Sequence, residues 1–263
     1  MSEPIERTID LMAESAVEKV TLQKSSALRH FVLSVLAGMY VGLAIAFIYM
    51  IGGSISVAAP SLSKIPMGAC FGVSLTLVIF ARAELFTGCT MSLPLGIMRE
   101  KVGVKDLVTN WLLTWAGNLC GAIVLAALVV HSGVLNSDPL QSFFLSIAAK
   151  KMHLPPHEIF LRGILANWCV CLAIWMSGRT KSDTAKLVLI WWCLFVFITS
   201  SYEHSVANMS GMMFGLLLPH GPELSLAGYF TNLFWSTFGN IVGGAGLVAG
   251  MYALASDRKT GRS

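Results

Sequence analysis

His204 stands directly after Glu203 and shortly before Asn208 in the stretch SSYEHSVANMSGM, Ser200 to Met212. An imidazole exchanges its proton near neutral pH, a carboxylate accepts from cations and N–H groups, and a carboxamide both donates and accepts. Side by side, such groups can hand a hydrogen bond or a proton to a small polar solute. A second polar stretch, ARAELFTGCTM, carries Arg82, Glu84 and Thr87. Both stretches sit inside apolar runs, with LVLIWWCLFVFIT before the histidine and FGLLL after it. Polar groups so placed are costly unless they face a bundle interior or an aqueous path. The same residues can equally form a satisfied interior network that holds a kink.

The elements that must position them are helices in a bilayer. Of 263 residues, 55% are hydrophobic and only 12% charged, against about 25% charged in a soluble domain. The apolar blocks approach the roughly 20 residues that cross a bilayer core. The pattern predicts an all-α polytopic membrane protein with six passages, at about 31–52, 65–98, 107–131, 157–177, 187–218 and 227–254. The second and fifth are too long. As one helix, 187–218 would reach roughly 48 Å against a core of about 30 Å. Each is expected to be broken into two half-helices around its polar stretch, which is tolerated at membrane depth only inside protein or against a water-filled cavity.

Residues 1–30 mix acids and bases and do not read as a signal peptide. Ile5, Ile9, Met12, Ala16 and Val20 fall at helical spacing, predicting an amphipathic helix outside or on the membrane. Residues 31–254 read as one transmembrane channel domain, with repeat halves at about 31–131 and 157–254, and 255–263 as a tail. Lys and Arg concentrate before the first passage, after the second and fourth, and at the chain's end. The positive-inside rule then predicts that both termini are cytoplasmic. The six cysteines lie in or beside apolar blocks, and CVC at 169–171 would point its thiols to different faces, so neither a disulfide framework nor a zinc site is expected. A net charge of +4 without a basic run gives no reason to expect nucleic acid.

The chain contains two halves. LAGMYVGLAI (36–45) parallels LANWCVCLAI (165–174), and NWLLTWAGNLCGA (110–122) parallels NLFWSTFGNIVGG (232–244), with G-N-x-x-G at the same offset. Three passages per half is an odd number, so the halves would enter the membrane in opposite directions, an inverted 3+3 repeat with a site near the midplane. Half-helix N-termini expose unpaired N–H groups that attract anions. His204 at such an end could donate to a small anion, with Thr87 and Asn208 orienting its ring. Glu84 and Glu203 would cap or tether the broken ends, since a carboxylate in the path repels an anion.

AELFTG, YEHSVANM and the G-N-I-x-G-G stretch, together with LIWWCLF, resemble the formate/nitrite transporter family over all six passages, and its nitrite-channel branch most. The resemblance implies an aquaporin-like protomer with its own pore, a homopentamer in an inner or plasma membrane, and passage of small monovalent anions such as nitrite, formate or hydrosulfide with protons. By position it implies a central histidine at His204 with Thr87 and Asn208 as partners, and a lysine at the outer mouth at Lys151. It also implies outer constrictions at Phe71 and Phe197 and inner ones at Leu75, Leu85, Phe86 and Val170. Ordinary helix packing is the competing reading of these apolar residues. Arg82 departs from the family, whose members usually have a small residue there. It is expected to need a partner, Glu84 or carbonyls at a half-helix end, as a structural group or as one that concentrates anion at the inner mouth.

The function expected is proton-linked passage of nitrite past His204, with formate or hydrosulfide as alternatives. Lys151 and the half-helix ends would draw the anion in, the apolar rings would oppose a bare charge, and the N-terminal helix could cover the inner mouth as a gate. A neutral-solute channel is disfavoured by the absence of paired Asn-Pro-Ala boxes. An intramembrane enzyme is disfavoured because EHS cannot converge as a triad on one helix and no H-E-x-x-H occurs. No cofactor is expected; membrane lipid surrounds the chain.

Overall fold

A computed structural model describes residues 5–256, and these form helices and short connections with no strand among the described residues. The tail's basic residues Arg258, Lys259 and Arg262 lie outside them. Helix α1 is Ile5–Ser25 and α2 is Ala27–Ser56. At 65–98 the chain forms α3, Lys64–Phe80, and α4, Phe86–Met98; α5 is Val104–His131. A further helix, α6, Leu140–Met152, precedes α7, Pro156–Ser177. The second over-long run divides into α8, Asp183–Thr199, and α9, Ser205–Leu217. The last helix, α10, Leu226–Ile241, continues through a π-helical segment, Val242–Gly250, into α11, Met251–Ala255. Five helical stretches are long and apolar enough to cross a membrane; α4 and α9 are shorter apolar helices.

Both long runs break in the same way. At the end of α3 the Ala83 N–H reaches the Val78 carbonyl and the Arg82 N–H that of Ile79. At the end of α8 the Tyr202 N–H reaches Phe197 and the Ser201 N–H reaches Ile198. This crossed pair of bonds is the Schellman stop, which needs its middle residue in the left-handed region, usually a glycine. Here that residue is Arg82 (φ 56°) in one break and Ser201 (φ 58°) in the other, each at a cost of roughly 1–2 kcal/mol.

The halves pack through the G-N-x-x-G copies. A Cβ on Gly121 would lie 2.0 Å from the Val35 carbonyl oxygen, and one on Gly243 would lie 2.4 Å from that of Ile164. Only glycine lets α5 approach α2, and the end of α10 approach α7, so closely.

Helix α1 lies along α4. Ile9, Met12, Ala13, Ala16 and Val20 are buried. Ala16 and Val20 pack with Cys89 and Leu93, while Ile9 and Met12 pack with Met91, Leu95 and Trp175. Ion pairs fasten its polar side: Asp10 to Arg99 at 2.9 Å, Glu14 to Lys101, Lys19 to Glu84 at 2.5 Å and Lys24 to Asp106 at 2.8 Å. Burial works against the Lys19 charge, but Glu84 beside it more than offsets that, holding its pKa above the ordinary lysine value. The ladder of pairs sets the register of α1 on the bundle.

Candidate functional site

The two breaks meet in the interior. His204 is the N-cap residue of α9, and its Nδ1 accepts from the Ala207 N–H at 3.1 Å. A nitrogen that accepts carries no proton, so the ring's hydrogen is on Nε2. That nitrogen lies 2.9 Å from Thr87 Oγ1 on the first turn of α4, to which it donates. The imidazole is thus held neutral and in one tautomer, bridging the N-terminal ends of the two half-helices. Positive charge on it would be opposed by the N-terminal end of α9. His204 is 3% exposed and Thr87 fully buried.

Each break is clamped by one asparagine. Asn118 Oδ1 accepts from the Phe86 N–H at 2.9 Å, and its Nδ2 donates to the carbonyls of Ser34 and Glu84. Asn240 Oδ1 accepts from the Ser205 N–H at 2.8 Å, and its Nδ2 donates to the carbonyls of Gly163 and Glu203. Each time one side chain from the G-N-x-x-G motif bonds two backbone groups of the break and one carbonyl of the neighbouring helix. The Glu84 and Glu203 N–H groups then bond to Leu33 and Arg162 carbonyls on α2 and α7. Non-helical backbone at this depth is stable because its groups are paired. Asn167 adds a third tie, donating from Nδ2 to Thr90 Oγ1 at 2.7 Å and to the Asn240 carbonyl at 2.6 Å.

Asn208 does not touch the ring. It donates to Glu203 Oε2 at 2.6 Å and to Asn232 Oδ1 at 2.7 Å. Lys151, on α6, donates to Glu203 Oε1 at 2.7 Å, and Asn232 reaches the Lys151 carbonyl at 3.0 Å. Glu203 therefore anchors α6 and α10 to the break and holds Lys151 in place. On the other side Glu84 takes Lys19 instead, so Arg82 does not pair with Glu84 as the sequence suggested. Cys89 occupies the place in α4 that Asn208 occupies in α9. A thiol cannot bridge as a carboxamide does, and the Asn110 Nδ2 is left without a partner.

Two cavities approach the His204–Thr87 pair from opposite sides. One, about 900 Å³, has α1 as a wall and includes Leu75, Leu85, Arg82, Glu84 and Lys19. The other, about 200 Å³, lies beneath α6 and includes Phe197, Glu203, Asn208, Lys151, Lys150 and Arg162. Phe71 and Phe197 meet edge to face with centroids 5.6 Å apart, and Phe197 lies 5.7 Å from the His204 ring. Leu75 and Leu85 line the α1-side cavity. Val170 is buried in the main core and lines neither cavity. Phe86 turns the other way, against Trp111 and into a groove between α5 and α10. Among the described residues no cluster of three or more His, Cys, Asp or Glu could hold a metal.

The residues that sequence reasoning passed over as site members are Lys19, Asn118, Asn240, Asn167 and Asn232. The repeated G-N already marked Asn118 and Asn240; nothing in the sequence paired Lys19 with a glutamate so far along the chain.

Comparison with known proteins agrees with this geometry. A family model described as formate/nitrite transporter matches residues 6–254. The chain is 42% identical over 240 residues to the nitrite transporter NirC of Salmonella typhimurium (strain LT2), covering 90% of this chain and 87% of that protein. A solved structure described as an FNT family ion channel superposes with a TM-score of 0.91 at 40% identity, covering 95% of this chain and 99% of that one. A second, described as a pentameric formate channel with formate bound, gives 0.78 at 28% identity, covering 89% and 98%.

Proposed function

Because this chain belongs to the formate/nitrite transporter family, a family of transporters rather than enzymes, we propose that it carries small monovalent anions across a cell membrane, nitrite foremost, with formate and hydrosulfide as alternatives. The observation that carries the reading is the buried His204–Thr87 bridge joining the two helix breaks, whose flanking residues line one cavity on the α1 side and another beneath α6. We propose six passages in an inverted 3+3 repeat, with residues 31–254 as the channel body, the α1 side and both termini cytoplasmic, and five copies in the assembly. The matching Asn118 and Asn240 clamps support the repeat, and the likeness to the pentameric formate channel supports the assembly.

The anion enters the α6-side cavity, whose wall carries Lys64, Lys150, Lys151 and Arg162 against Glu203. That field concentrates anion. Past it, Phe71 and Phe197 offer no hydrogen bonds, and a bare charge pays a heavy desolvation cost. The anion must cross as its weak acid. The proton comes from acid in the water of the α6-side cavity, and at the bridge Nε2–H donates to an oxygen of the passing acid while Nδ1 keeps the Ala207 cap. Thr87 supplies a hydrogen bond before and after.

Stopped-flow uptake into proteoliposomes, comparing nitrite, formate, hydrosulfide and glycerol at two external pH values, tests this. Anion uptake accelerated by acid is expected. Glycerol uptake with no anion uptake would overturn it.

A further inference from the structure

The two cavities differ in charge. The α6-side wall is dominated by cations, whereas the α1-side wall carries three carboxylates, Glu14, Glu18 and Glu84, against Lys19 and Arg82. Lys19 is bound to Glu84 at 2.5 Å. Arg82 is different: it is exposed, and among the described residues its side chain has no ion pair and no hydrogen bond. Glu84 and Glu14 are each held by a lysine, Lys19 and Lys101, so without Arg82 this mouth would present Glu18 and no unpaired cation among its lining residues to an approaching anion. Arg82 also holds the left-handed position of the α3 stop, where a glycine would cost nothing and an arginine is strained. Neither packing nor pairing explains an arginine there.

We propose that Arg82 is the anion-recruiting residue of the α1-side mouth, an unpaired guanidinium in the wall of a vestibule whose other lining cation, Lys19, is held by Glu84, there to bind small anions entering from that side. The proposal rests on the channel reading above. A guanidinium suits the task because its charge is permanent and only weakly hydrated, so it releases water readily to an anion. Its left-handed backbone belongs to the helix break itself, which fixes the base of the side chain at the cavity wall. The charge acts at short range through water, so its effect must fade as salt screens it.

The test is nitrite entry into inverted and right-side-out membrane vesicles, with orientation checked by protease access to an N-terminal tag, at low and high ionic strength. In Arg82→Gly the half-saturating nitrite concentration for entry from the α1 side should rise about threefold at low salt, the size expected of one solvent-screened charge. The rise should shrink at high salt and be absent for entry from the α6 side. Arg82→Lys should behave as the parent does. Arg82→Gly should melt no lower than the parent, because glycine suits the backbone there. Unchanged half-saturation in Arg82→Gly, with nitrite still carried, would overturn the proposal alone. Equal loss from both sides with a lower melting temperature would also overturn it, by assigning Arg82 a structural role. A parent protein that carries no nitrite from either side would defeat the channel reading and this proposal together.

Discussion

His204 has two duties, and losing them should register in two different measurements. It caps α9 through Nδ1 and donates to Thr87 through Nε2. His204→Phe fills similar space and removes both. Loss of the cap should cost about 1 kcal/mol, visible as a modest drop in melting temperature, whereas nitrite uptake should fall at least tenfold. Uptake that survives while the cap is lost would leave His204 a structural role only. The sequence made His204 and Thr87 legible, because each belongs to a short polar stretch set within an apolar run. Asn208 was expected to orient the ring, but His204 caps α9 in extended backbone at φ −112°, ψ 118°, and the Asn208 amide bonds Glu203 and Asn232 instead. Lys151 follows the same network. Lys151→Met should leave Glu203 buried and unpaired, costing about 3–5 kcal/mol. Lys151→Met combined with Glu203→Gln should recover most of that stability without recovering low-concentration nitrite uptake. If the double variant is no more stable than Lys151→Met, the pair is not what holds α6.

At the scale of elements, the decisive feature is that each broken helix is mended by one asparagine. Asn118→Leu would strand the Phe86 N–H and the Glu84 carbonyl in the interior. Even with partial relaxation this should cost about 3 kcal/mol or more, although Asn118 lines neither cavity. Asn110→Leu is the internal control. Its Nδ2 already lacks a partner, so replacing it should cost far less. Melting curves of the two variants in detergent would distinguish them, and similar losses would mean that the Asn118 bonds are not essential to the break. The breaks were legible from length, because no single helix of that size fits a bilayer, and from the repeated G-N. Helix α6 was not. LQSFFLSIAAKKM is too short to span and is interrupted by polar residues, and it is ordered by Phe144 and Ala148 packing into the main core rather than by its own pattern. The π-helical stretch after α10 was equally invisible, since VGGAGLVAG carries no mark of its hydrogen-bond register.

At the scale of the molecule, the bundle is a closed centre between two unlike mouths, with α1 strapped across one of them. The sequence predicted the amphipathic face of α1 correctly, yet a gate and a strap share that pattern, and the difference lies in how much must be exposed to open. Undocking α1 would bare Ile9, Met12 and Val20, all buried, at roughly 5–8 kcal/mol for the three, in addition to breaking its ion pairs with Arg99, Lys101, Glu84 and Asp106. Even the low end makes the opened form fewer than about one in a thousand, too rare to regulate flux. The helix is therefore a strap that completes the cavity wall and shields the apolar face of α4. Deleting residues 1–25 should expose Cys89, Leu93, Met91 and Leu95, lower the melting temperature by many degrees and release the Glu84 carboxylate from Lys19. Nitrite uptake per folded protein should not fall from the α1 side, because the deletion removes Glu14 and Glu18 from that mouth as well as Lys19 and leaves Glu84 opposite Arg82. The acceleration by external acid, which belongs to the His204 bridge and the opposite cavity, should persist. A truncated protein that stays stable and conducts faster, with its pH dependence gone, would show that α1 opens after all and that the docking energy has been overvalued.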